Sequence, residues 1–196
     1  VELKGLLQSE DVDLMRQALA DLGFQIRKDE KYYKIKGTDG LVENKECAIN
    51  VGNAGTIARF LTCFLSSQKR GKFSMSGSEA MQKRPMHELL NCLEGLGCRI
   101  EYQGEKGCFP FLLLTNGLNN NKINIDARKS GQNVSGILMQ CSKQNRDYKI
   151  NFKNGTVSVP FVEMTLEMMR AFCEDNTTSY TFENNSITLK NCTYKK

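Results

Sequence analysis

Apolar residues recur at helical spacing in three places along the chain, and each time two strand-like segments follow. The helical stripes are formed by Val12, Met15, Leu19 and Leu22, by Met86, Leu89, Leu90, Leu93 and Leu96, and by Val162, Leu166, Met169 and Cys173. The strand-like segments lie at 24–27 and 32–36, at 98–102 and 109–114, and at 178–182 and 186–190. Helical periodicity followed by alternation and turn residues predicts three copies of a helix–hairpin unit.

A second pattern alternates with the first. A short apolar strand, a turn of small residues and an apolar helix succeed one another at 47–61 and again at 122–139. Another strand-like segment follows each of these helices, at 73–77 and at 148–152. The whole pattern therefore repeats after roughly 75 residues, which predicts a mixed α/β fold with pseudo-threefold symmetry.

The two patterns do not occur equally often. The chain contains three helix–hairpin units but two strand–turn–helix units, and residues 1–4 match the short strand that follows such a helix. We therefore expect a third strand–turn–helix unit before Val1, so that the chain is a piece of a longer protein. Its 196 residues are expected to form one domain, 1–196.

Composition narrows the possible partners. The chain has 27 basic and 22 acidic side chains, a formal net charge of +5, and the basic residues are spread out rather than clustered. Small anionic substrates suit this balance. A nucleic-acid-binding module of repeated βαβ units stays open as an alternative, although no basic and aromatic cluster supports it.

The cysteines predict a reducing compartment. None of the eight belongs to a Cys-x-x-Cys pair, most lie in apolar runs, and the chain has one histidine. Reduced core cysteines and the absence of a metal site are therefore expected. Four methionines are likewise expected in the core, namely Met139, Met164, Met168 and Met169. No signal peptide and no apolar run near the roughly 20 residues of a membrane span is present, which predicts a cytoplasmic protein without membrane contact.

The stretch 51–61 carries the first candidate chemistry. It passes from a strand through Gly52, Asn53, Ala54 and Gly55 into an apolar helix. Backbone N–H groups at such a helix start are uncovered at the positive end of the helix dipole, which favours an anion. Arg59 lies inside the same helix and can add a positive charge. A tight connection without any ligand is the alternative interpretation of this stretch taken alone.

Two later segments predict further helix starts with anion-binding side chains. Arg84 precedes Pro85, which suits a first helical position, and a guanidinium there can grip a phosphate or a carboxylate. Ser158 is a candidate N-cap, with Pro160 in the first turn of its helix. Each segment alone is explained by a simple helix start, but together they indicate a convergent anion site.

These motifs, in this order and spacing, carry a family resemblance. Asn53-Ala54-Gly55-Thr56 with Arg59, Lys83-Arg84-Pro85, Ser130-Gly131-Gln132 and Ser158-Val159-Pro160-Phe161 resemble the 5-enolpyruvylshikimate-3-phosphate synthase family over nearly the whole chain. The resemblance implies an α/β (α+β) fold of βαβαββ units with parallel helices inside and short sheets outside. Family members have two such domains, whose helix N-termini face an interdomain cleft. The chain would be most of one domain, without its first helix and without the partner domain.

The resemblance also implies roles for individual residues. The residues implied to bind phosphoenolpyruvate are Asn53, Gly55, Thr56, Arg84 and Gln132. The residues implied to bind shikimate-3-phosphate are Ser130, Gly131, Gln132, Ser158 and Phe161. Gln132 and Arg84 would support catalysis, and no residue of the chain is identified as the general acid or base. The chain departs from the family where Gly131 replaces a second serine, Phe161 a common tyrosine, and Phe60 a frequent proline.

The implied reaction transfers the enolpyruvyl group of phosphoenolpyruvate to the 5-hydroxyl of shikimate-3-phosphate, on the route to chorismate and the aromatic amino acids. It needs no cofactor and no metal, and the complete protein would be a monomer that does not bind nucleic acid. The isolated domain is expected to be folded but inactive. The related UDP-N-acetylglucosamine enolpyruvyl transferases are the nearest alternative, but they usually carry a reactive cysteine where this chain has Glu79.

Overall fold

The computed structural model of the chain describes residues 1–128, 130–142, 146–156, 159–174, 180–183, 185–191 and 193–195. The strands are β1 (Glu2–Lys4), β2 (Ile26–Lys28), β3 (Tyr32–Ile35), β4 (Glu46–Asn50), β5 (Lys69–Ser76), β6 (Arg99–Tyr102), β7 (Phe111–Asn116), β8 (Lys122–Ala127), β9 (Tyr148–Thr156), β10 (Tyr180–Glu183) and β11 (Ser186–Leu189). The helices are α1 (Glu10–Asp21), α2 (Gly55–Ser66), α3 (Glu79–Gln82), α4 (His87–Gly95), α5 (Gly131–Cys141) and α6 (Val159–Phe172). Ser158, the candidate N-cap and substrate contact, lies outside the described residues, as do Asn184 and part of the segment 178–182.

The three sheets repeat one strand order. One four-stranded sheet has the order β4-β5-β7-β6, and the other has the corresponding order β8-β9-β11-β10. In both sheets the first pair of strands is parallel and the other neighbours are antiparallel. The three-stranded sheet, β1-β3-β2, matches the last three positions of this order. One four-stranded sheet belongs to the unit β8-α5-β9-α6-β10-β11, and the other to β4-α2-β5-α3-α4-β6-β7, which adds the short α3. The predicted mixed α/β class is therefore present, and the strand orders are consistent with the predicted repeat.

Helices α2 and α5 pack side by side and run parallel. Three contacts follow one another in the same direction along both helices: Thr56 with Gln132, Cys63 with Gly136, and Ser66 with Gln140. A Cβ atom on Gly136 would lie 2.8 Å from Cys63 Sγ, so the glycine permits this close approach. The parallel packing brings the two helix N-termini together at one end of the chain's core.

The core confirms most predicted apolar positions but corrects two expectations. Met169 is buried, whereas Met139, Met164 and Met168 are 38%, 56% and 63% exposed. Helix α6 carries apolar residues on two sides and buries the side formed by Val162, Leu166 and Met169, so its outer methionines are not core residues. The expectation that every cysteine is reduced is wrong at Cys173, which is disulfide-bonded where the last residues of the chain run beside the end of α6.

Other differences from the predicted elements are local. Pro85 is not the first helical residue, because α4 begins at His87 and Met86 is its N-cap. The short helix α3 was not predicted, and Ser78 caps it by accepting a hydrogen bond from the Met81 N–H. Among the described residues, no helix is long and apolar enough to cross a membrane.

Candidate functional site

The first backbone N–H groups of α2 and α5 donate no hydrogen bond to a capping side chain. Ala54 and Ser130 are the N-cap residues, neither makes a side-chain capping bond, and no acidic residue occupies either first turn. Helix α1 is the contrasting case, because Ser9 caps it at the Val12 N–H and its first turn holds three acidic residues. The open N–H groups of α2 and α5 therefore keep the positive potential that attracts an anion.

Two arginines lie beside the start of α2. A Cβ atom on Gly55 would lie 3.1 Å from Nη1 of Arg59 and 3.4 Å from Nη1 of Arg84, so both guanidinium groups approach the glycine backbone. Arg59 Nη1 donates to the Gly55 carbonyl at 2.9 Å, and Arg84 Nη1 donates to the Asn53 carbonyl at 3.2 Å. Within the described part of the chain, neither arginine forms an ion pair with a carboxylate. The pair of cations is thus available to a ligand.

Burial destabilises the charged form of the Arg59 guanidinium. Burial first, and then the like charge of Arg84, lower the pKa of its guanidinium below the ordinary value. A bound anion between the two arginines would offset both effects, because it replaces lost hydration and opposes the mutual repulsion.

The predicted contact residues on α2 and α5 meet across the helix pair. Gln132 Nε2 donates to Thr56 Oγ1 at 2.8 Å, and Gln132 Oε1 would lie 4.0 Å from a Cβ atom on Gly55. The fold therefore unites Asn53, Gly55, Thr56, Arg84 and Gln132 at one end of the α2–α5 pair. Ser130 and Gly131, at the start of α5, lie beside them.

A pocket of about 160 Å³ opens next to this cluster. Its lining consists of Arg59, Arg84, Pro85, Met86, His87, Glu88, Ser130 and Asn133. Glu88 is the carboxylate of this lining, and its Oε1 lies 3.3 Å from His87 Nε2. The pocket thus combines two guanidinium groups, one hydroxyl and one amide with a single acid, which suits a ligand with both anionic and hydroxyl groups.

The strand that leads into α5 is anchored by Asp126. Its carboxylate accepts from the backbone N–H of Arg128 at 3.0 Å, from the Arg128 guanidinium at 2.6 Å, and from Asn154 Nδ2 at 3.1 Å. These bonds, with those from Arg128 the largest cause, hold the pKa of Asp126 far below its usual range. Asp126 therefore stays charged and ties the end of β8 to Arg128 and to Asn154 on β9.

One predicted residue lies on a third helix, α6, and one lining residue was not predicted. Phe161 sits in the first turn of α6 with its side chain 61% exposed, and α6 is tied to α5 by a 2.8 Å hydrogen bond between Ser135 and Thr165. Asn133 is buried and lines the pocket, although the sequence reasoning did not select it. The signal available for it was a single amide directly after Gln132, in a helix whose following residues are mostly apolar or small.

The described residues contain no group of three or more His, Cys, Asp or Glu side chains that could hold a metal ion. The N-terminal ends of α2 and α5, together with Arg59 and Arg84, are what this part of the fold provides for an anionic ligand.

Comparison with known proteins identifies relatives along nearly the whole chain. The pentafunctional AROM polypeptide of Pneumocystis carinii is 33% identical over 200 residues, which cover 97% of this chain and 13% of that protein. The 3-phosphoshikimate 1-carboxyvinyltransferase of Buchnera aphidicola subsp. Cinara cedri is 36% identical over 173 residues, which cover 87% of this chain and 39% of that protein. The chain therefore spans less than half the length of these relatives.

A solved structure agrees with the sequence relatives. An EPSP synthase from Acinetobacter baumannii matches with a TM-score of 0.78 and 27% sequence identity, covering 97% of this chain and 41% of that one. The profile of the family described as EPSP synthase (3-phosphoshikimate 1-carboxyvinyltransferase) matches residues 1–187. With this match over most of its length and the shared fold, the chain belongs to the EPSP synthase family.

Proposed function

We propose that the protein containing this chain is a transferase that moves the enolpyruvyl group of phosphoenolpyruvate to the 5-hydroxyl of shikimate-3-phosphate. The observation that carries the proposal is the meeting of two uncapped helix N-termini with Arg59 and Arg84 at one pocket, in a chain of this family. Both substrates are anions, and this end of the fold concentrates positive potential, with no carboxylate of the described residues paired to Arg59 or Arg84.

The proposed roles follow the positions of the side chains. Asn53, Gly55 and Thr56 border the phosphoenolpyruvate site, Arg84 binds its phosphate, and Gln132 reaches both substrates from α5. Arg84 suits this role because it is exposed and its Nη1 hydrogen bond to the Asn53 carbonyl leaves other donors free.

Shikimate-3-phosphate is proposed to bind at the start of α5 and α6. Ser130 holds the phosphate with its hydroxyl, which does not cap its own helix. Gly131 contributes backbone N–H alone, Ser158 is assigned from its motif, and the ring of Phe161 covers the ligand without a hydroxyl of its own. Arg84 and Gln132 thus position and stabilise the reacting anions rather than transfer protons.

The chemistry requires groups outside this chain. The methylene carbon of phosphoenolpyruvate is protonated, and the 5-hydroxyl loses its proton as it attacks the adjacent carbon. The tetrahedral intermediate then loses phosphate and a proton from the new methyl group, which restores the enol double bond. We propose that residues 1–196 form one domain, that a second domain supplies the acid and base, and that the chain alone is inactive. No cofactor, metal or nucleic acid takes part, and the complete protein is proposed to be a cytoplasmic monomer.

Measurements of turnover test the proposed reaction and the two-domain assignment separately. Phosphate release from phosphoenolpyruvate in the presence of shikimate-3-phosphate is measured for the full-length protein and for this chain alone. The proposal expects release by the full-length protein, none by the chain, and strongly reduced release by full-length protein carrying Arg84→Ala. Release by the chain at the full-length rate would overturn the two-domain assignment, and an inactive full-length protein would overturn the reaction.

A further inference from the structure

Asn133 presents an unexplained polar group at the start of α5. The residue is 5% exposed, and its Oδ1 makes no hydrogen bond to any residue that the structure describes. A buried amide oxygen without a partner destabilises a fold, so such atoms in native proteins usually have a ligand or a water as partner. Asn133 also lines the pocket at the α2–α5 end, three residues after Ser130 and therefore on the same side of the helix.

A second unpaired group lines the same pocket. Nε of Arg59 is buried and makes no hydrogen bond within the described ranges, although Nη1 of the same side chain donates to the Gly55 carbonyl. The residues that line the pocket therefore carry an unpaired acceptor on Asn133 and an unpaired donor on Arg59, both just beneath its surface, together with the charge of Arg84. Glu88, the acid in the lining, lies 3.3 Å from His87 and does not pair with Arg59. Complementary unpaired groups of this kind suit a ligand that both accepts and donates hydrogen bonds.

We propose that Asn133 is a further ligand-binding residue of this pocket, whose carboxamide hydrogen-bonds a phosphate that also carries hydroxyl groups. Through Oδ1 the amide accepts from a ligand hydroxyl, and through Nδ2 it donates to a phosphate oxygen. Ser130 and Arg84 supply the neighbouring contacts to the anion. The inference rests on the proposed function for the identity of the ligand, shikimate-3-phosphate.

The test compares affinity with stability. Asn133→Leu has nearly the same shape but no polar atoms, and Asn133→Ser keeps a smaller polar group. Thr115→Val is the matched control, because Thr115 Oγ1 is also buried without a hydrogen-bond partner but lies on β7 and not in the pocket lining. Calorimetric titration with shikimate-3-phosphate and with inorganic phosphate gives the affinities, and thermal unfolding gives Tm.

The inference expects opposite effects of Asn133→Leu on the two quantities. Affinity for shikimate-3-phosphate falls roughly 3- to 10-fold, the usual effect of one lost hydrogen bond, while Tm stays equal or rises because an unpaired buried group is removed. Asn133→Ser also weakens binding, and Thr115→Val leaves affinity within twofold of the unsubstituted chain. A purely structural role would not lower affinity while preserving Tm.

The outcomes separate the inference from the proposed function. If the unsubstituted chain binds shikimate-3-phosphate and both Asn133 variants bind it equally well, the inference is overturned and the function stands. If the chain binds inorganic phosphate in an Asn133-dependent manner but not shikimate-3-phosphate, the binding role stands and the proposed substrate is overturned. Binding of neither ligand by the chain overturns the inference, while turnover by the full-length protein decides the proposed function independently.

Discussion

Replacing Gly136 with alanine tests whether the close approach of α2 and α5 builds the site. The new Cβ would lie 2.8 Å from Cys63 Sγ and 3.5 Å from the Arg59 carbonyl oxygen, and the first distance is too short for a relaxed contact. Cys63 is fully buried, so its sulfur cannot swing into solvent. Alanine favours a helix over glycine by about 1 kcal/mol, whereas overpacking a core costs typically about 1–3 kcal/mol. We expect a net loss of about 1 kcal/mol in the free energy of unfolding.

Gly95→Ala is the matched control. Gly95 also lies in a helix, but a Cβ atom there would meet nothing within 4 Å, so the variant should gain about 0.4–1 kcal/mol. The two alanine variants should therefore differ by up to about 2 kcal/mol, or about 4–8 °C in Tm for a domain of this size. Urea and thermal unfolding, followed by circular dichroism, measure the difference.

A rescue variant identifies the contact responsible. Cys63→Ala removes the sulfur, so the double variant Gly136→Ala with Cys63→Ala should lose less stability than the sum of the two single changes, by about 1 kcal/mol. The overpacked chain should also separate Gln132 from Thr56, which an NMR spectrum detects as shifts at both amides. Equal stability of Gly136→Ala and Gly95→Ala would refute the reasoning.

Three further outcomes follow from the site and its surroundings. Arg84→Ala should weaken phosphoenolpyruvate binding about 10-fold or more, because a charged hydrogen-bond donor is lost. The free energy of unfolding should change by less than about 0.5 kcal/mol, because the side chain is exposed. Calorimetry measures the affinity and denaturation the stability, and an unchanged affinity would exclude Arg84 from the site. Asp126→Asn should be less stable than the unsubstituted chain at pH 7, because the pKa of Asp126 is lowered in the folded state and its charged form therefore stabilises the fold. The difference in the free energy of unfolding should shrink as the pH falls below about 4, near the carboxyl's unfolded pKa. A difference independent of pH would contradict the anchoring role. Burial raises the pKa of the Cys63 and Cys141 thiols, so iodoacetamide should label Cys47 before either in the native chain, as peptide mass spectrometry reports; equal labelling rates would contradict the packed core.

The repeat was predictable from sequence because each unit has its own periodicity and turns. The helix starts at Gly55 and at Ser130 were also predictable, since small residues between a buried strand and an apolar helix favour an open N-terminus. Pro85 was wrongly predicted to be the first residue of its helix, because proline suits several positions around a helix start. Met86 is the N-cap instead. Local patterns do not distinguish these neighbouring positions.

Properties that depend on several elements at once could not be predicted. The exposure of Met164 and Met168 depends on which side of α6 packs against α5. The sequence of a helix with two apolar sides does not identify the side that is buried. The position of Asn133 beside the pocket between α4 and α5 depends on how the helices pack, and a lone amide has no periodicity from which to predict it. The direction of the Arg59 side chain, likewise, depends on tertiary contacts and not on its place in the helix.

The central claim is that the joined N-termini of α2 and α5 form a site for the anionic substrates. Titrating shikimate-3-phosphate into the isotope-labelled chain and following amide NMR signals tests it most directly. The account predicts saturable shifts concentrated at Gly55, Thr56, Ser130 and Gln132, with Gly95 unaffected. No shift at these residues at millimolar ligand, or shifts centred elsewhere on the chain, would contradict it.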